Sequence, residues 1–258
     1  MFQRTLWIAM LSLLSSANTH AGPAENASAH PPLRIISSMA TREILSDLSR
    51  RFEEQSPHRV VLESVGGVDA EQRVKNDENF DVVILASGAI DRLAAGAALE
   101  PGSALAFVHS SIAVAQREGA PKIDIRSESA LRQAVIAAQS ISYSTGPSGV
   151  YLQNLFEKWG VADALKQRTI VPKPGIPVAT LVASGEAEIG FQQLSELMHA
   201  KGISVIGPLP AEIQAVTTFS AAIPKNSAQK SAARDYMQFI TSPVAYPVME
   251  ANGMKPAR

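Results

Sequence analysis

No cysteine occurs among the 258 residues of the chain. This absence excludes a disulfide framework, a thiolate nucleophile and a thiolate-bound metal, and it also excludes an anchor built on a lipid-modified cysteine. Of all residues, 46% are apolar and 18% are charged, which is typical of a globular protein. The chain is therefore long enough for one large domain or two small ones.

The sequence also lacks long apolar runs and a surplus of either charge. Beyond residue 21 no segment has the roughly 18 consecutive apolar residues that a membrane-spanning helix needs, so we predict no membrane insertion. Residues 22–258 carry 22 Lys and Arg against 24 Asp and Glu, a net charge of −2 with neutral histidines. This balance predicts no nucleic-acid partner and no acidic tail. No repeat of fixed period is visible, which disfavours a solenoid.

The first 21 residues have the features of a secretory signal peptide. Arg4 precedes an apolar run from Leu6 to Leu14, and Thr19 and Ala21 supply small residues at the two specificity positions. We predict cleavage near Ala21, followed by a linker over residues 22–32 that is rich in small residues and proline. The mature protein is expected to be a soluble monomer of the periplasm.

The stretch Leu33–Leu48 predicts a short apolar strand that runs directly into a helix. Ser38 and Thr41 stand where the helix should begin, and apolar residues continue from Ile44 at helical spacing. The first turn of a helix carries unpaired N–H groups, and together with the helix dipole they favour an anion. A plain N-cap explains the same residues, because serine and threonine are common caps. The two interpretations are compatible.

The rest of the chain alternates between the two patterns. Strands are predicted at residues 33–36, 60–65, 80–86, 105–115, 140–143, 169–171, 189–193, 204–206 and 217–223, and helices at 42–55, 70–74, 89–97, 129–138, 150–159, 178–182, 195–199 and 231–240. Alternation of this kind predicts an α/β fold with doubly wound sheets, and ligands are expected at the carboxyl ends of the strands.

The turn Ser144–Gly149 repeats the opening design. It follows the predicted strand at 140–143, it is polar and contains two glycines, and it opens the next predicted helix. Two copies of one design suggest two lobes that hold an anion between them.

These features resemble the periplasmic molybdate-binding proteins, a family of solute-binding proteins. The resemblance covers the chain from about Leu33 to the C-terminus and rests on I-S-S-M-A-T-R at residues 36–42, E-S-V-G-G at 63–67, F-D-V-V-I-L-A at 80–86, L-V-A-S-G-E-A-E-I-G-F at 181–191 and T-F-S-A-A-I at 218–223. It implies a two-lobed type II binding-protein fold, each lobe a small doubly wound sheet, with the ligand in the cleft. Lobe 1 would comprise residues 33–106 and 208–258, and lobe 2 residues 107–207.

Departures from the family pattern bear on the ligand. The family places a serine in its second contact loop, where this chain has Gly67 and Val68, and a tyrosine that contacts the oxyanion, where this chain has Gln193. Arg42 adds a guanidinium to the first helical turn. Amide donors and a guanidinium suit carboxylates better than tetrahedral molybdate.

One offshoot of this family, the aconitate isomerases, interconverts trans- and cis-aconitate. This chain is similar to that branch, which implies an allylic proton shift on a small anionic tricarboxylate, with no metal and no organic cofactor. The alternative is the substrate-binding component of an ABC importer, with a permease partner, for molybdate, tungstate or another small anion.

The polar turns and the resemblance together give a set of candidate ligand-binding residues. They are Ser38, Thr41, Arg42, Gly67, Val68, Ser144, Thr145, Ser148, Gly149, Pro177, Val178 and Gln193. Arg73 and Gln192 are further candidate carboxylate contacts, although on a strand Gln192 and Gln193 point to opposite faces, so at most one should face the cleft unless the strand has already ended, and Gln193 is the preferred one.

The catalytic residue stays unassigned at this point. Glu63 is a weak candidate for the proton carrier, on the condition that burial raises the pKa of its carboxyl, and an outward-facing strand glutamate is the commoner case. Glu196 is interpreted equally well as an acid of a first helical turn. His109 and His199 lack the spacing of a metal site or a triad, and we interpret them as structural or surface residues.

Overall fold

The computed structural model describes residues 30–173 and 175–257. The predicted signal peptide and residues 22–29 of the predicted linker lie outside this part. The strands are β1 (Leu33–Ser38), β2 (Val60–Val65), β3 (Val82–Ala86), β4 (Leu105–Arg117), β5 (Ile141–Tyr143), β6 (Thr169–Ile170), β7 (Ile189–Gln193), β8 (Ile203–Pro208), β9 (Val216–Ala222) and β10 (Met254–Pro256). The helices are α1 (Arg42–Gln55), α2 (Gly67–Lys75), α3 (Ser87–Ala95), α4 (Glu128–Ala137), α5 (Pro147–Lys158), α6 (Ala162–Leu165), α7 (Val178–Ser184), α8 (Leu194–Leu197), α9 (Lys230–Thr241) and α10 (Tyr246–Ala251).

Every predicted strand and helix corresponds to one of these elements. Helix α1 and strand β7 have the predicted bounds, because an apolar helix face and a continuous buried run define them clearly. Helix α5 begins three residues earlier than predicted, with Pro147 in its first turn, where the missing N–H of proline costs nothing. The short elements α6, α10 and β10 were not predicted, since they offer too few residues to show a period.

The strands form one connected α/β arrangement with the order β2-β1-β3-β9-β4-β7-β5-β6, and β8 and β10 also pair with β4. Strands β1, β2 and β3 are parallel, as are β5, β6 and β7. Strand β9 is antiparallel to both β3 and β4. The doubly wound groups predicted from the sequence are therefore joined through antiparallel strands.

Strand β4 connects the two lobes. Its first half, from Leu105 to Ser111, pairs with β9, and its second half, from Ile112, pairs with β7 and β8. The hydrophobic clusters divide in the same way. The two clusters that contain Leu45 and Val83 use residues 33–108 and 219–254. The other three clusters, one of which contains Phe191, use residues 112–215. The sequence-based lobe boundaries, after residues 106 and 207, fall inside β4 and β8, and they stay a prediction.

The parallel strands of each lobe end at one edge of the sheet, and this edge is where a ligand is expected. Helices α1, α2 and α3 follow β1, β2 and β3, so these helices begin at the same edge. Helices α5 and α8 begin after β5 and β7 in the other lobe. In open α/β sheets a ligand binds at the carboxyl ends of the strands, which here face each other across a cleft. None of the helices in residues 30–173 and 175–257 is long and apolar enough to cross a membrane.

Candidate functional site

A cleft of about 510 Å³ lies between the carboxyl ends of the strands of the two lobes. Its size is in the usual range for a small-molecule site. One wall comes from the segments that follow β1 and β2, and the other from the segments that follow β5, β6 and β7. The lining contains eight of the twelve candidate ligand-binding residues, namely Ser38, Gly67, Val68, Ser144, Thr145, Ser148, Pro177 and Gln193, and also the further candidate Gln192.

The turn after β1 forms part of the first wall. A short 3-10 turn, Met39–Thr41, separates the strand from α1, and the Ser38 hydroxyl accepts a 3.4 Å hydrogen bond from the Ala40 N–H. Thr41 is fully buried, and its hydroxyl donates to the Ser38 carbonyl oxygen at 3.0 Å. Thr41 therefore shapes the turn and does not line the cleft, whereas Ser38 is both a cap and a wall residue.

Two helices begin at the cleft without a side-chain cap. Helix α2 begins at Gly67 and α5 begins at Pro147, and neither N-cap residue makes a side-chain hydrogen bond to the first turn. Gly67, Val68 and Ser148 of these first turns line the cleft. The uncapped N–H groups and the positive helix ends favour an anion between the lobes.

Gly149 has a packing role. It is buried, and a Cβ atom at this position would overlap the carbonyl oxygen of Ser144 and press on the Tyr143 ring. The turn Ser144–Gly149 closes tightly because glycine permits this approach. Gly149 does not line the cleft. Its role is to position Ser144 and Ser148, whose hydroxyls lie 3.2 Å apart.

Gly149→Ala should therefore destabilise the protein. Overpacking a tight site costs about 1–3 kcal/mol, and here the neighbouring atom belongs to the backbone. Chemical denaturation of the variant against the wild type measures the loss. Gly146→Ala is the matched control, because its nearest neighbour is the Ser144 hydroxyl at 3.6 Å, and a larger loss for that control would contradict this account.

Gln192 and Gln193 end strand β7, and both line the cleft. Both can reach the cleft because β7 ends at Gln193, which is the exception that the sequence-based expectation allowed. Both ends of the Gln192 amide have a partner, since its oxygen accepts from the Val178 N–H at 3.1 Å and its nitrogen donates to Glu196 at 2.7 Å. Val178 is buried and contributes this N–H to the amide and not to the cleft.

Gln193 keeps one amide atom free. Its nitrogen donates to the Thr217 hydroxyl at 2.8 Å, while its oxygen is buried and has no hydrogen-bond partner in the structure. The side chain is only 2% exposed. An unpartnered buried amide atom costs free energy, and a ligand in the cleft can offset that cost.

Glu196, for which the sequence offered the interpretation of a first-turn helix acid, is a residue of the site. It lies in α8, one turn after Gln193, and it lines the cleft. Burial raises the pKa of Glu196 to about 7, although the hydrogen bond from Gln192, the charge of Arg42 and the Gln193 N–H act in the opposite direction. At neutral pH this carboxyl can therefore both take up and release a proton.

The cationic residues of the cleft differ from those expected. The Arg42 side chain is 52% exposed, pairs with Glu43 and lines a separate cavity of about 340 Å³ behind Glu196. Arg73 binds both Glu63 and Glu78 and lies over the Phe80 ring. Neither arginine lines this cleft, and the role of either one as a ligand contact stays a prediction. Lys173 lines the cleft instead, and its position in a loop gave no sequence signal.

Glu63 does not meet the condition set for a proton carrier. Its carboxylate receives a bidentate hydrogen bond from Arg73, which holds the pKa of Glu63 below its usual value. It also lies outside the cleft lining. The sequence-based candidate is therefore corrected, because a paired carboxylate is a poor base at neutral pH.

The histidines interpreted as structural have polar partners. His109 contacts the Thr218 hydroxyl at 2.9 Å, and His199 contacts the Asn252 side chain at 3.2 Å. Within the part of the chain that the structure describes, no group of three or more His, Asp or Glu side chains could hold a metal ion.

Comparison with known proteins supports the resemblance. The model of the family described as "Bacterial extracellular solute-binding protein" matches residues 33–255. A curated relative, an aconitate isomerase from Pseudomonas sp, is 39% identical over 187 residues, which covers 71% of this chain and 70% of that protein.

Solved structures establish the fold. The periplasmic molybdate-binding protein of Azotobacter vinelandii has a TM-score of 0.75 at 21% identity and covers 88% of this chain and 100% of its own. AgtB of A. tumefaciens R10, in complex with agropinic acid, has a TM-score of 0.69 at 14% identity, with 88% and 84% covered. The type II periplasmic binding-protein fold predicted from the sequence is confirmed. The chain belongs to the bacterial extracellular solute-binding protein family.

Proposed function

We propose that this protein is a periplasmic aconitate isomerase, which interconverts trans- and cis-aconitate by an allylic proton shift. The curated relative at 39% identity supports this activity. The family of extracellular solute-binding proteins and the signal-peptide pattern of residues 1–21 support the location.

The observation in the structure that carries the proposal is the free amide atom of Gln193. A half-turn of the amide exchanges its two ends, so that the Thr217 hydroxyl donates to the oxygen and the NH₂ group takes the place of the unpartnered oxygen. In that orientation a planar amide meets a carboxylate of the ligand. A ligand carboxylate thereby satisfies a buried polar group that has no partner in the protein.

The remaining groups of the cleft suit a polycarboxylate. The uncapped first turns of α2 and α5, the Ser38 hydroxyl and the Lys173 ammonium lie around one cavity of about 510 Å³. These donors come from both lobes. A tricarboxylate can therefore engage both walls at once, and closure of the lobes would exclude water from the reacting carbons.

The reaction is balanced in protons and electrons. A base removes one proton from the CH₂ carbon of trans-aconitate, and the electron pair spreads over the adjacent double bond and its carboxylate. The same proton, or one from solvent, adds to the carbon that carried the vinylic hydrogen, so the double bond moves by one position. No oxidant, reductant or leaving group takes part.

The second candidate function is anion binding for an ABC importer. The observation in its favour is the fold shared with binding proteins for molybdate and agropinic acid. That function requires a cleft that binds a ligand and releases it unchanged. A transport role would pair the protein with a membrane permease.

Incubation with trans-aconitate, followed by chromatographic quantification of cis-aconitate, tests the first function. We expect conversion in proportion to enzyme concentration. Thermal shifts with trans-aconitate and with molybdate, measured in parallel, test the second. Stabilisation by molybdate with no conversion of trans-aconitate at high protein concentration would exclude the proposed isomerase.

A further inference from the structure

We infer that Glu196 is the catalytic residue that carries the proton, and that Gln192 is the residue that positions it. This inference rests on the proposed function and names the group that performs its chemical step. Among the acidic side chains considered from the sequence, Glu196 combines a place in the cleft with a carboxyl that can change charge near neutral pH.

The position of Glu196 is fixed by the backbone around it. Gln193 is the N-cap of α8, and Glu196 reaches back to the Gln193 N–H as the third residue of a capping box does. Gln192 donates to one oxygen of the carboxyl at 2.7 Å. The amide of Gln192 is held in turn by the Val178 N–H at 3.1 Å, so the first turn of α7 and the carboxyl are tied together.

Charged groups from several elements surround this carboxyl. Asp69 of α2 and Lys173 line the cleft on one side of Glu196. Arg42, Glu43, His199 and Lys201 line the separate cavity on its other side. Of these, the Arg42 guanidinium lowers the pKa of Glu196, but it pairs with Glu43 and leaves burial as the dominant effect.

A carboxyl in an anion site weakens binding unless it serves another purpose. An ionised Glu196 would repel a bound anion, and a binding protein gains nothing from that repulsion. A proton carrier needs this arrangement, because a base is most effective when its pKa lies near the working pH. The two carbons that exchange the proton flank one central carbon of aconitate, so a single carboxyl on one face can serve both.

Glu196→Gln tests the assignment, since it removes the titratable group and keeps the size of the side chain. We expect kcat to fall by about 10²- to 10⁴-fold, the usual contribution of general acid–base catalysis. Binding of tricarballylate, a saturated tricarboxylate, should change by only a few-fold in thermal-shift titrations. Glu54→Gln, an exposed position near the far end of α1, is the matched control, and we expect its kcat to match the wild type.

The pH profile of kcat/KM separates a catalytic from a structural role of Glu196, because a structural residue would not set the position of its rising limb. We expect kcat/KM of the wild type to rise with pH up to about 7 and then level, because the base must be ionised. Gln192→Met removes the amide donor that lowers the pKa of Glu196, so the rising limb should move to higher pH. An unmoved limb in a folded Gln192→Met variant would overturn the positioning role.

Stability of Glu196→Gln provides an independent measurement. Because the pKa of Glu196 is raised by folding, the wild type loses stability as the pH rises from about 4.5 to about 7. The Tm advantage of Glu196→Gln should grow over this interval and then stay constant. A Tm difference between Glu196→Gln and the wild type that is the same at every pH would contradict the raised pKa of Glu196.

The outcomes separate the two proposals. Near-wild-type turnover of Glu196→Gln, or loss of turnover in Glu63→Gln instead, would overturn the assignment of Glu196 and leave the isomerase intact. Absence of turnover in the wild type would end the proposed function and this assignment together. A large loss of kcat in Glu196→Gln with tricarballylate binding retained supports both.

Discussion

Replacing Gln193 by glutamate should weaken binding of trans-aconitate by two orders of magnitude or more. The free amide atom of Gln193 is buried at the cleft, so a carboxylate there would face the carboxylate of the ligand. Two like charges at about 4 Å repel by about 4 kcal/mol at an effective dielectric constant of 20. Isothermal titration with tricarballylate measures this effect without turnover.

Gln193→Met separates the charge from the lost donor. Methionine keeps the length of the side chain and removes its hydrogen bond to the Thr217 hydroxyl. A hydrogen bond to a charged group contributes about 1.5–3 kcal/mol, so we expect a loss of about tenfold to a hundredfold in affinity. Unchanged affinity in both variants would show that Gln193 does not contact the ligand.

Asp81→Ala should lower the free energy of unfolding more than any of the other substitutions described here. Asp81 is 4% exposed, and its carboxylate accepts from the Arg34 N–H at 3.0 Å, the Ser227 hydroxyl at 2.8 Å and the Gln229 amide at 3.1 Å. Alanine leaves these donors without an acceptor. We expect a loss of about 3–5 kcal/mol in the free energy of unfolding, measured by urea denaturation.

Asp81→Asn is the matched control for this position. Asparagine retains an oxygen for the Arg34 N–H and the Gln229 amide, and the Ser227 hydroxyl can turn to accept from its NH₂ group. We expect less than half of the loss seen with alanine. Equal stability of Asp81→Ala and the wild type would contradict the view that this carboxylate joins the start of β1 to residues 227–229, from distant parts of the chain.

The sequence predicted the local elements well because each depends on nearby residues. Helix α1 follows from the spacing of Ile44, Leu45, Leu48 and Phe52, all of which are buried in the structure. The polar turns after β1 and β5 follow from serine, threonine and glycine at strand ends. These features require no knowledge of distant contacts.

The chemistry of the cleft depends on contacts that a single sequence does not display. The intervening turn Met39–Thr41 and the pair with Glu43 turn Arg42 away from the cleft. The raised pKa of Glu196 arises from burial between two cavities, and the sequence shows only an acid in a short helix. Strand β9, inserted antiparallel between β3 and β4, likewise depends on long-range pairing.

Proton NMR of aconitate with purified protein measures the proposed isomerisation and the role of Glu196 together. Samples that start from pure trans-aconitate and from pure cis-aconitate are followed to constant composition, with Glu196→Gln as the matched control. We expect the wild type to bring both samples to the same mixture of isomers and the variant to do so at least a hundredfold more slowly. Persistence of both pure isomers in the presence of wild-type protein that binds them would contradict the proposed isomerisation.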